Sequence, residues 1–95
     1  MRDYEVTYII DPSLEEEQVN ALVERFANLI TTQGGQVTGT DRWEKRRLAY
    51  EIKGKREGLY VVMTFRATPE ARDELDRQMR ITEGVIRHLI VRPEE

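Results

Sequence analysis

At 95 residues the chain makes one domain, residues 1–95, with a core too modest to support a deep active-site cleft. Its 39% apolar and 35% charged residues at a net charge of -3 describe a folding chain, and the lack of cysteine excludes disulfides, thiolate metal sites and cysteine nucleophiles. The opening MRDYEVTYII carries charge within five residues and no long apolar run, so neither a signal peptide nor a spanning helix is expected.

The elements can be taken in chain order. Tyr4, Val6, Tyr8 and Ile10 alternate with Glu5, Thr7 and Ile9, which predicts a first strand. DPSLEEE then predicts a helix start, with Ser13 as the cap, Glu16 three residues on, and Glu15 to Glu17 at the positive end of the helix dipole. Val19, Leu22, Val23, Phe26, Leu29 and Ile30 follow the spacing of one buried helical face, which Gly34-Gly35 ends. Gln36 to Ile52 reads as one long second strand, with Leu48, Tyr50 and Ile52 on one side and Trp43, Lys45, Arg47 and Ala49 on the other. Leu48 and Tyr50 read as core. After the loop KGKREG, Leu59 to Phe65 is apolar on both faces, as a central strand is, and pairs back as a hairpin. Thr68-Pro69-Glu70 starts a second helix with Ala71, Leu75 and Met79 as its apolar stripe, and Gly84 precedes a last strand, Val85 to Val91.

Strand, helix, strand, strand, helix, strand predicts the α+β ferredoxin-like βαββαβ sandwich: a four-stranded antiparallel sheet with two helices on one face. Right-handed crossovers put the first and third strands in the centre and the second and fourth at the edges. The edge strand carries the chain's charge asymmetry, since Arg42 to Arg56 holds seven cations against Glu44 and Glu51. Such charges protect an edge from aberrant pairing and also suit an anionic partner. Arg46 shares a side with Leu48 and Tyr50, so on the reading that this side faces the helices, the WEKRR half is expected to project as an arm.

Catalytic patterns are scarce. His88 stands alone, GKREG is not a phosphate loop of either standard spacing, and consecutive glutamates on a helix point in different directions. REGLYVVMTF lacks the second glycine and the same-face aromatics of an RNA recognition motif, and the acidic DPSLEEE loop argues against an acylphosphatase-like anion site after strand one. A metabolite-binding regulatory module is a further reading of the same fold. Cations on an extended strand beside Trp43 can meet phosphates, bases or a protein partner.

MR-x-YE at the start, DP before an acidic helix start, W-x-KRRLAY-x-I and the closing VIRHLIVR together resemble the family of the sixth protein of the bacterial small ribosomal subunit, over nearly the whole chain. The resemblance implies a non-enzymatic ribosomal component with the ferredoxin-like fold, without cofactor, small-molecule substrate or membrane partner, in the cytoplasm on the ribosome. It implies binding to 16S ribosomal RNA in the central domain, as a heterodimer with the eighteenth small-subunit protein. Carried onto this sequence, it assigns Arg2, Tyr4, Arg80, Arg87, His88 and Arg92 toward RNA, and Trp43, Lys45, Arg46 and Arg47 chiefly toward the partner protein or adjacent RNA. The chain departs from the family at Glu44, often glycine, at Glu51, frequently proline, and in the charged C-terminal tail that is longer in many relatives.

Overall fold

A computed structural model describes residues 1–40 and 44–93. In chain order the elements are β1 (Arg2–Ile10), α1 (Glu16–Thr32), β2 (Gln36–Thr40), β3 (Glu44–Ile52), β4 (Lys55–Ala67), α2 (Pro69–Ile81) and β5 (Val85–Val91). All strand pairings are antiparallel: β4 and β1 are central, β5 lies beyond β1, and β2 and β3 both pair with β4. The expected ferredoxin-like sandwich and its strand order are therefore present.

The helices cover one face because two periodicities converge there. Tyr4, Val6, Tyr8 and Ile10 of β1 and Val61, Met63, Phe65 and Ala67 of β4 present alternate residues to one side. They meet Val19, Phe26 and Ile30 of α1 and Ala71, Leu75 and Met79 of α2 in one core cluster. The Tyr8 and Phe26 rings meet edge to face, 5.4 Å apart at 81°. Thr68 caps α2, its Oγ1 accepting from the Ala71 N–H at 3.2 Å, with Pro69 in the first turn where its missing N–H costs nothing.

One core group is out of step with its surroundings. The Tyr8 hydroxyl is buried and finds no hydrogen-bond partner among the described residues, and burial pushes its phenol well above its ordinary value. Removing that oxygen leaves the ring packing unchanged, so Tyr8→Phe is expected to be neutral or to stabilise by up to about 1 kcal/mol. A fall in the urea midpoint would contradict this.

Three sequence expectations need correction. Ser13 does not cap α1: its N–H and hydroxyl both donate to Asp11 Oδ1, at 2.9 and 2.8 Å, closing a local turn. Glu15 is the cap instead, its N–H donating to Gln18 Oε1 at 3.0 Å, with Glu16 and Glu17 in the first turn. The Ser13 N–H bond leads the effects that hold the Asp11 carboxyl below its ordinary value, and Lys55 at 3.4 Å ties the β4 start to this turn.

Second, the single long strand expected over Gln36–Ile52 is not regular: its described parts, β2 and β3, both run along the same edge of β4, with register shifts between Val37 and Gly39 and between Arg47 and Ile52. Third, most of KGKREG is strand. Only Lys53 (φ 50°) and Gly54 (φ 79°) turn, a two-residue hairpin that needs positive φ at both positions, and Lys55 to Gly58 already belong to β4.

Candidate binding surfaces

The sheet face away from the helices is the first surface. The register sets Arg46 opposite Gly58 and Glu44 opposite Tyr60, which in turn pairs with Ile9. Those positions lie on the helix-free side. There Ile9, Leu48 and Ile86 form a second buried cluster, supported by Ile52 and Tyr60. Gly58 makes it possible: a Cβ at that position would come 2.2 Å from Ile9 Cγ2, so only a bare backbone lets Ile9 lie across the strand.

Leu48 is thus buried as expected, but against the opposite face, and the inference of an arm projecting beyond the helices falls with it. Tyr50 is corrected further, being 62% exposed. Both faces of this sheet carry apolar side chains, so alternation alone did not say which face received the set. Arg46 tolerates its place by lying over the Tyr60 ring, 5.1 Å from its centroid. Arg87 Nη1 donates to the Tyr50 hydroxyl at 2.6 Å.

Above this cluster lies a shallow concavity of about 310 Å³, walled by Tyr50, Tyr60, Arg87 and Leu89. Its rim stays open to solvent, with Leu89 62% exposed. An apolar face rimmed by two arginines is the surface composition of a protein interface.

The second surface lies at the other end of β1. Arg2, Tyr4 and Arg92 converge there with Arg72 of α2 around a more polar concavity of about 410 Å³. Tyr4 is buried, tilted against Phe65 at 5.5 Å, so its ring is a floor for this cluster and not a platform for stacking. Arg72 is the residue that sequence reading passed over. Its available signal was a cation in the first turn of a helix, beside Ala71 of the buried stripe, where the helix dipole disfavours positive charge.

Arg80 and His88 converge elsewhere, on Asp76 of α2. His88 Nε2 lies 2.7 Å from Asp76 Oδ1, and Arg80 pairs with Oδ2. Burial opposes ionisation of Asp76, but the His88 hydrogen bond and the charge of Arg80 outweigh it, and the carboxyl sits below its ordinary value. A depressed carboxyl pKa stabilises the fold above the unfolded value near 4, and that contribution is lost as pH falls through the folded value. Asp76→Asn should therefore lower the urea midpoint at pH 7, and the gap to the unsubstituted protein should close as pH falls through the lowered value of this carboxyl. An equal gap above and below that value would remove this role for the ionised carboxylate.

The remaining hairpin cations are spread out. Lys45 pairs with Glu57 at 3.3 Å, and Arg47 lies with Arg56 near Glu51 and Glu57. Trp43 lies outside the described residues. Among the described residues no group of three or more His, Asp or Glu side chains could hold a metal ion. The sequence-assigned RNA positions thus divide into three places: Arg2, Tyr4 and Arg92 at one end, Arg80 and His88 on Asp76, and Arg87 on the open face beside the partner-assigned Arg46.

Fold and surfaces define a small ferredoxin-like domain that presents faces for contact. A model of the family described as Ribosomal protein S6 matches residues 3–92. The chain is 53% identical over its whole length to the small ribosomal subunit protein bS6 of Desulforamulus reducens, all of which is covered. To the bS6 of Desulforudis audaxviator it is 55% identical over 97% of its length, covering 98% of that protein. The crystal structure of 30S ribosomal protein S6 from Thermotoga maritima shares the fold with a TM-score of 0.92 at 36% identity, over 98% of this chain and 88% of that one. The chain belongs to the ribosomal protein S6 family, a component of the small subunit of the cytoplasmic ribosome.

Proposed function

We propose that the protein acts by binding alone, joining 16S ribosomal RNA in the central domain of the small subunit as a heterodimer with the eighteenth small-subunit protein. The observation that carries this reading is the open sheet face, where Tyr50 and Leu89 stand exposed beside Arg87, and Arg46 lies over Tyr60. A folded domain leaves such a face uncovered at a cost in solubility, and a protein partner removes it from water. RNA attachment by this chain alone is weak, because a protein of net charge -3 releases few counterions from a phosphate backbone. A basic partner seated on the open face supplies the missing charge.

The test is a binding titration of central-domain 16S RNA with this protein, with the purified partner, and with both. Tight binding is expected only with both present, together with co-sedimentation of the protein with small subunits from its own extract. Equal RNA affinity with and without the partner would remove the cooperative part of the reading.

A further inference from the structure

We infer that Arg72, together with Arg2 and Arg92, forms a binding site for a backbone phosphate of RNA; this rests on the RNA-binding reading above and gives it a residue-level site. Three elements that are remote in sequence build it: the start of β1, the first turn of α2 and the end of β5. Val91 pairs with Glu5 across the β1–β5 ladder, which brings Arg92 to the level of Tyr4. Arg2, Arg72 and Arg92 then border a concavity whose other walls are Tyr4, Pro69, Ile90 and Val91, with no carboxylate among the described side chains that line it.

Arg72 is held in place by its surroundings. Its guanidinium carbon stands 5.9 Å from the centroid of the buried Tyr4 ring, and its Nε is enclosed without an acceptor among the described residues. The guanidinium pairs with the adjacent Asp73, Nη2 to Oδ1 at 3.0 Å, but that carboxylate is 67% exposed. Such a surface pair gains little in water. A chain that encloses part of a cation without a buried acceptor is not using it to hold its own core together. The fixed guanidinium instead offers donors at the mouth of the concavity, where the planar fork suits a phosphate and little rotamer freedom is lost on binding.

RNA is favoured over an acidic peptide because the three cations line a mostly polar concavity at the end of the sheet that takes in only Val91 of the exposed apolar residues, while Tyr50 and Leu89, which would anchor a protein, border the other concavity. Asp73 competes for the same guanidinium, which gives the site a second handle.

The experiment titrates central-domain 16S RNA with the heterodimer over a range of salt concentrations, for the natural chain and for Arg72→Ala, Arg2→Gln and Asp73→Asn. Arg72→Ala is expected to weaken binding roughly tenfold and to reduce the slope of log affinity against log salt by about one phosphate contact. Arg2→Gln, at an exposed position that folding does not need, should lower the slope in the same way, and Asp73→Asn should tighten binding. If the heterodimer of the natural chain binds RNA and these variants bind it with the same affinity and salt slope, the site is overturned while the proposed function stands. A loss confined to partner affinity without RNA would equally overturn it, since it would assign the arginines to a protein carboxylate. Failure of the natural heterodimer to bind RNA would instead remove the proposed function.

Discussion

Replacing Leu89 by arginine is expected to weaken binding of the proposed protein partner roughly a hundredfold while leaving the thermal unfolding of the isolated chain nearly unchanged. Leu89 is 62% exposed on the helix-free face, and an exposed substitution away from caps and core changes stability by no more than about 0.5 kcal/mol. In the heterodimer proposed above the same position would be enclosed. There an added guanidinium would be desolvated beside Arg87 and against a basic partner, with no carboxylate among the described side chains lining the concavity to receive it. Loss of an interface anchor of this kind costs about 3 kcal/mol or more, roughly a hundredfold in affinity. Calorimetric titration with the purified partner reads the loss, and differential scanning calorimetry reads the stability. Affinity within twofold of the natural chain would show that the partner docks elsewhere.

The second large effect belongs to the core. Phe26→Ala should cost about 3 to 5 kcal/mol, because the ring is fully buried and holds the edge-to-face contact with Tyr8 that joins α1 to the central strand. A domain of this size has a total stability near the lower end of the usual 5 to 15 kcal/mol range. The variant is therefore expected to melt roughly 15 °C or more below the natural chain, or to lack a cooperative transition. A shift of only a few degrees would mean that the site collapses around the missing ring far better than its full burial implies.

These two predictions differ in how much of each was legible in the sequence. Phe26 lies on the three-four stripe of α1, and a stripe of that spacing has one buried side whatever it packs against. The same holds for Ala71, Leu75 and Met79 of α2 and for the alternate residues of β1, all buried as read. Leu89 and Tyr50 were harder. Alternation sorts a strand's residues into two sets, and here both sets carry apolar groups, so the assignment to a face depended on cross-strand register. Register shifts along the β4 edge, between Val37 and Gly39 and between Arg47 and Ile52, leave no trace in composition. Gly58 and Ile9 decided where Leu48 was buried, and nothing near Leu48 in sequence announces either.

The basic stretch shows the same division. Its cations mark an edge strand, and the structure places β3 on the edge of β4. Their partners were beyond reach of local reasoning: Lys45 meets Glu57, Arg46 lies over Tyr60, and Arg87 from the far strand reaches Tyr50. The arginine cluster at the opposite end was half visible, since Arg2 and Arg92 were singled out and Arg72 was not. A helix-borne cation acquires its neighbours only when the helix packs across two strands.

By itself, then, the sequence determined the elements, their order, the helix-covered core and the ferredoxin-like architecture, because periodicity, caps and turn residues act over a few residues and are written locally. Only the tertiary structure decided which sheet face took Leu48 and left Tyr50 in solvent, and which arginines share a concavity. Those outcomes depend on register and on close approach between residues far apart in the chain, as where Ile9 lies over Gly58.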